Sequence, residues 1–128
     1  MGYIIVFLGA GLGGALRHGT NLAASRLFGI GFPFGTLTAN LVGSFLMAVV
    51  MEVFAFKSGL SQHARLFLTT GILGGYTTFS TFTLDAMTRF ERGDWASGGV
   101  YIILSVAGGL LAFLVGMVLI RHFLGGAA

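Results

Sequence analysis

The 128-residue chain has no cysteine. Disulfides, thiol nucleophiles and cysteine-based metal sites are therefore excluded. Charge is almost as scarce, at 9% of residues, where a soluble domain carries about 25%. The polar surface that a water-soluble globule of this size needs is missing. The net charge of +3 comes without a basic cluster interleaved with aromatics, so it reads as contact with lipid headgroups and not with nucleic acid. No carboxylate pair and no nucleophile–base pair stands out. His18, His63 and His122 show no metal-ligand spacing. The residues offer no enzyme.

What is present is apolar length. The chain is 55% hydrophobic, and a membrane span needs about 20 apolar residues. Four stretches fit, at 2–25 (containing Arg17), 34–56, 64–90 and 95–120. The expected architecture is all-α, a single transmembrane domain over 1–128. The connections, Arg26 to Pro33, Lys57 to His63 and Glu91 to Asp94, leave no room for a soluble domain. The first span has no basic segment before it and no small-residue cleavage pattern, so it reads as a retained helix and not as a signal peptide.

An even number of spans puts both termini on one side. Lys57, Arg65 and Arg121 then share that side, and Arg26, Arg89 and Arg92 the other. The Lys/Arg bias that sets orientation is absent. The chain is therefore able to insert both ways and pair antiparallel, although so small a count also ties by chance. Four such helices enclose no useful lumen, so transport requires a dimer. Gly9 with Gly13, and Gly108 with Ala112 and Gly116, permit close helix approach, which serves a dimer or a monomeric bundle equally.

Tyr3 to Leu8 followed by Gly9-Ala10-Gly11-Leu12-Gly13-Gly14 imitates the strand and G-x-G-x-x-G of a dinucleotide site. The acid required about 20 residues on is missing, because none lies between Gly14 and Glu52. The glycines instead thin the first helix for packing and leave room for Arg17.

The third stretch is the unusual one. Leu66 to Leu84 has no charge, yet it contains Gly74-Gly75-Tyr76-Thr77-Thr78-Phe79-Ser80-Thr81-Phe82. Two glycines followed by the hydroxyls of Thr77, Thr78, Ser80, Thr81 and Thr83 predict a helix break near 74–78, close to the midplane. Backbone freed in lipid must be satisfied by protein, ion or water, so a break there implies an ion site or a polar track. Single hydroxyls bond back to their own helix, but five in seven residues exceed that need.

Other residues admit two readings each. Arg17 either snorkels to an interface or attracts anions at a pathway mouth. Asn40 either cross-links helices, the simpler reading, or donates an N–H to an anion. Phe79 and Phe82 share a helix face. They either pack, or turn their electropositive edges to an anion that must bind weakly enough to leave. Tyr101 and Ser105, four apart, are able to add hydroxyls. Glu52 and Asp85 belong near interfaces or vestibules.

With these segments in hand, the chain resembles the CrcB/Fluc family of fluoride channels. Gly13-Gly14-Ala15-Leu16-Arg17, then Gly35-Thr36-Leu37 with Asn40 and Gly43-Ser44-Phe45, then Gly74 to Phe82 carry the likeness. The last of these is highly specific, and the resemblance covers essentially the whole chain. It departs at His18, where an aromatic is common, at Ala39, where Val is usual, and at Ala48, where Gly is frequent.

The resemblance implies an antiparallel, dual-topology homodimer in the plasma (inner) membrane of a prokaryote. It implies passive, selective export of fluoride and the lowering of cytoplasmic fluoride. Phe79 and Phe82 become the aromatic pair lining a pathway, Asn40 its amide donor, and Ser80, Thr81, Tyr101 and Ser105 its polar track. Arg17 maps to an arginine near a vestibule. The backbone carbonyls of Gly74 and Thr77 map to a central structural sodium site. A site on an in-plane two-fold axis must lie near mid-depth, and two carbonyls from each chain would give four hard oxygen ligands.

The alternative is a small dual-topology proton-coupled multidrug exporter. That mechanism needs a membrane carboxylate, normally in the first helix, where this chain has Arg17 and no acid. A third reading is a packing subunit that transports nothing. It leaves the hydroxyl-rich break without a purpose.

Overall fold

The computed structural model describes residues 1–125, so the last three positions of the domain expected over 1–128 lie outside the described residues. Everything regular among them is helical. Helix α1 covers Gly2–Phe28, α2 Phe34–Phe56 and α3 Gln62–Leu66. A π-helical segment, Phe67–Leu73, leads into the single turn α4, Gly74–Tyr76. Helix α5 covers Phe79–Glu91, and α6, Trp95–Ile120, runs on into a π turn at Arg121–Gly125. Tyr3 to Leu8, which imitates a strand in the sequence, lies within α1.

Local chemistry sets the ends. Helix α1 continues past the expected Ser25 to Phe28 and stops at Gly29, whose φ of 76° suits a residue without Cβ and whose N–H returns to the Ser25 carbonyl. The Ser61 hydroxyl caps α3 by accepting from the N–H groups of His63 and Ala64. Gly93, at φ 78°, turns the chain into Asp94, whose carboxylate accepts the Ser97 N–H at the start of α6. Helices α2 and Trp95–Gly125 are long and apolar enough to cross a membrane.

The interruption in the third stretch falls at Thr77 (φ −87°, ψ 157°) and Thr78 (φ −154°, ψ 121°). Gly74 and Gly75, expected to make it, are helical. The β-branched threonines suit extended backbone, whereas Gly75 does a packing job: a Cβ there would strike the backbone of Ala10. A Cβ on Gly13 would likewise strike the Ile72 carbonyl, and one on Gly9 would lie 2.8 Å from the Gly71 Cα and the Phe67 carbonyl. Helix α1 and the π segment therefore meet backbone to backbone, through small residues. Gly108 packs on Leu41, and Gly116 on the Phe45 carbonyl and Ala48. In both places the small residues serve contacts within one chain.

The enclosed core is small. Leu37, Ala86 and Tyr101 are buried, with Phe32, Leu41, Phe82 and Ile102 packed around them. Large apolar side chains such as Phe7, Leu8, Leu110 and Leu111 point outward. An apolar exterior on this scale is not that of a soluble monomer.

Candidate functional site

The interrupted backbone is held by α2. A Cβ at Gly43 would collide with the Thr77 methyl, so this glycine lets the third stretch lie against α2. One turn earlier, the Asn40 carboxamide makes a two-point contact with Thr78. Its Oδ1 accepts the Thr78 N–H at 2.8 Å, and its Nδ2 donates to the Thr78 carbonyl at 3.0 Å. Nδ2 carries two hydrogens, and the second has no partner among the described residues. The Thr78 hydroxyl accepts the Thr81 N–H at 3.1 Å and caps α5. It also shares a 3.3 Å hydrogen bond with Ser80. Thr77 and Thr83 donate back to Leu73 and Phe79 at 2.9 and 3.0 Å, as isolated hydroxyls in a helix do.

Beside this clamp lies a cavity of about 270 Å³. Asn40, Ser44, Thr77, Thr78, Phe79, Phe82, Ser105 and Val106 line it. The Phe79 and Phe82 rings stand 5.6 Å apart at 48°, and Phe79 is 78% exposed. The Ser105 hydroxyl is buried and has no hydrogen-bond partner among the described residues. A buried hydroxyl in that state calls for an occupant, since most such groups are paired. Of the residues assigned to the pathway from the sequence, Asn40, Phe79, Phe82 and Ser105 meet here, together with Thr77 and Thr78 of the hydroxyl run. Ser80 does not line the cavity.

Thr81 and Asp85 open instead onto a second cavity of about 450 Å³, with Asn21, Thr36, Arg89 and Arg92. Tyr101 is completely buried. Its hydroxyl donates to Asp85 Oδ2 at 3.0 Å, and its ring meets the Phe82 ring edgewise at 5.3 Å. Tyr101 thus joins the aromatic wall of the first cavity to the carboxylate of the second. Arg89 Nη1 donates to the Gly31 carbonyl at 3.1 Å and to Ser97 at 3.0 Å, and its guanidinium lies 5.1 Å from the Phe32 ring centre. Arg17 lines neither cavity and has no hydrogen bond or ion pair among the described residues. It is spaced one turn from Asn21 on the same side of α1.

The interruption frees backbone acceptors. In an unbroken helix the Gly74 carbonyl would receive the Thr78 N–H, and the Thr77 carbonyl the Thr81 N–H. Asn40 takes the first donor and the Thr78 hydroxyl the second. Neither carbonyl receives a backbone donor among the described residues. No group of three His, Asp or Glu side chains is placed to hold a metal among those residues. The Gly75 and Tyr76 carbonyls are freed in the same way, so this short run offers several backbone oxygens as acceptors.

A family model described as "CrcB-like protein, Camphor Resistance (CrcB)" matches residues 4–117, which include every residue named in both cavities. The chain belongs to this family. It is 52% identical over 120 residues to the Fluoride-specific ion channel FluC of Methylobacterium nodulans, covering 94% of this chain and 96% of that one. It is 51% identical over 126 residues to the protein of the same name from Granulibacter bethesdensis, covering 98% and 99%. Together with the apolar helices, membership makes it an all-helical membrane protein.

In this CrcB-like chain, the sequence reading did not include Ser44, Thr78 and Val106 in the first cavity, or Thr36 and Arg89 in the second. Ser44 carried a usable signal, since it follows Asn40 by four residues and shares its helix face. Thr78 was visible only as one hydroxyl among five. Its role comes from its backbone, which residue type does not reveal.

Proposed function

We propose that the chain is a fluoride-selective channel. As an antiparallel homodimer in the plasma membrane of a prokaryote, it lets fluoride leave passively and lowers its cytoplasmic concentration. Support comes from full-length relatives named as fluoride-specific channels at about half identity. The observation that carries the reading is the cavity that unites the Asn40 amide, the unpaired Ser105 hydroxyl and the Phe79–Phe82 pair.

The chemistry suits a small, strongly hydrated anion. To enter, fluoride must exchange water for other donors. The second Nδ2 hydrogen of Asn40 and the Ser105 hydroxyl are uncommitted donors. The rings add electropositive edges without a full charge, so the ion is held weakly enough to move on. Thr81, Arg89 and Arg92 would draw the ion through the wider cavity. Asp85 is restrained there by the Tyr101 proton. Arg17 would contribute long-range attraction from α1. No carboxylate lies in α1, the helix where proton-coupled drug export normally carries one.

Four spans, with the third interrupted near mid-depth, would place the Gly74 and Thr77 carbonyls close to a two-fold axis lying in the membrane plane. Their lack of backbone donors fits a sodium ion, held by these residues of both chains. A bound sodium would supply a positive charge that joins the two chains without being transported.

The test is efflux. Liposomes containing the purified protein are loaded with the potassium salts of fluoride and chloride, a potassium ionophore is added to carry the compensating charge, and each anion is followed outside by its own electrode. Rapid fluoride release with chloride retained is expected. Fluoride retention equal to that of empty liposomes would overturn the proposal.

A further inference from the structure

The end of the molecule away from the wide cavity has an unbalanced cation. Two arginines approach neighbouring residues of α2 there. Arg121 grips Glu52 with both arms, at 2.9 and 3.0 Å. Arg65, half-buried at the end of α3, finds only the Met51 sulfur, at 3.6 Å. Sulfur is a weak acceptor, and a guanidinium has five N–H donors. The other acids, Asp85, Glu91 and Asp94, lie in α5 or between α5 and α6. Glu52 is therefore the one carboxylate of this end among the described residues, and Arg121 already holds it. Lys57 and Arg65 are left without a counter-charge among the described residues.

Arg65 opens onto a cleft of about 450 Å³ between α2 and the start of the third stretch. Gln62, His63 and Thr70 line it with Arg65, and Met51 and Leu66 form its apolar wall. The side chains of Gln62, His63 and Thr70 make no hydrogen bond among the described residues. The lining carries an amide, an imidazole, a guanidinium and two hydroxyls, of which that of Thr69 is already given to the Arg65 carbonyl, and no carboxylate. A planar guanidinium with neighbouring neutral donors suits phosphate oxygens. The cleft meets α2 at Met51, towards the C-terminal end of an apolar helix long enough to span a bilayer, and the ends of such a helix fall near the lipid headgroups.

We infer that the Arg65 cleft binds the phosphate of an anionic phospholipid, with Gln62, His63 and Thr70 as further donors and Met51 and Leu66 against the upper acyl chain. The negative leaflet surface favours basic residues at this depth, and Lys57 adds to the same field. The site is separate from the anion cavities and needs no ion flux to operate.

The measurement is thermal unfolding of the full-length protein in non-ionic detergent. Short-chain phosphatidylglycerol, matched phosphatidylcholine and inorganic phosphate are added in parallel. A ligand bound only by the folded state raises the melting temperature. Phosphatidylglycerol is expected to raise it by at least about 3 °C, with the other two below about 1 °C. Arg65→Gln is expected to abolish the difference and Arg65→Lys to restore part of it. Should Arg65→Gln fail to fold, Thr70→Val, at an exposed position, is expected to raise the phosphatidylglycerol needed for half the shift by about threefold. Equal shifts from both lipids, a full shift from inorganic phosphate alone, or a shift that survives both Arg65→Gln and Thr70→Val would overturn the assignment.

Discussion

The Asn40 carboxamide replaces a neighbouring peptide for Thr78, receiving its N–H at 2.8 Å and giving a hydrogen to its carbonyl at 3.0 Å. The backbone is extended at this point and cannot bond along its own helix. In an apolar surrounding each orphaned group is costly. One side chain therefore fixes the interruption and presents its spare N–H to the cavity.

Asn40→Asp keeps an acceptor for the Thr78 N–H but has no hydrogen for the carbonyl, and it sets a negative charge at the cavity wall. We predict a loss of about 1–3 kcal/mol of stability and a fall in fluoride efflux of at least about tenfold. Melting in detergent and electrode efflux from liposomes report the two effects separately. Wild-type values in both would remove Asn40 from the account.

Ser105→Ala separates transport from structure. The Ser105 hydroxyl is buried and unpaired, so removing it relieves a desolvation cost. Melting temperature is predicted to hold or rise, while fluoride efflux falls. A clear drop in melting temperature would mean that the hydroxyl supports the fold.

The Tyr101–Asp85 bond predicts coupling. A phenol has one hydrogen, and Asp85 has it. Tyr101→Phe leaves the carboxylate without that donor, whereas Asp85→Asn leaves Tyr101 an acceptor. The double variant is expected to be less damaged than the sum of the single ones by about 0.5–3 kcal/mol in stability. Simple additivity across the cycle would show that the contact has no energetic weight.

Glycines on α1 are predicted to differ sharply. Gly13→Ala would drive a Cβ into the Ile72 carbonyl, whereas at Gly14 nothing lies within 4 Å. Gly13→Ala should destabilise by about 1–3 kcal/mol through overpacking, and Gly14→Ala should be neutral or stabilising, given the helix preference for Ala. Unfolding by heat, with the two variants side by side, decides it. Similar behaviour of both would contradict backbone contact between α1 and the π segment.

These contrasts mark what could be read from residues alone. Long apolar runs between charged or glycine-containing turns made α2 and α6 legible, because a span is defined by length and polarity. The interruption was legible as a break within 74–78, and it falls at the end of that range, on Thr77 and Thr78, while Gly74 and Gly75 stay helical. Glycine signals both flexibility and closeness, and only the position of Ala10 distinguishes them. The π segment left no trace, since it reflects the meeting of two backbones. Phe79 and Phe82 were readable as a pair on one face. Their union with Ser105 depends on how α5 and α6 pack, and the family resemblance supplied what periodicity did not.

The ring pair offers the most direct test, because Phe82 bounds the first cavity and also meets Tyr101 edgewise. Phe82→Ile keeps an apolar side chain of moderate size but removes the aromatic edge. The measurement is fluoride efflux from liposomes holding equal amounts of folded wild type and Phe82→Ile, each checked for the same assembly size by gel filtration. The account predicts the same assembly and a fluoride efflux at least about tenfold slower. Efflux at the wild-type rate from the correctly assembled variant would contradict a pathway built on aromatic edges.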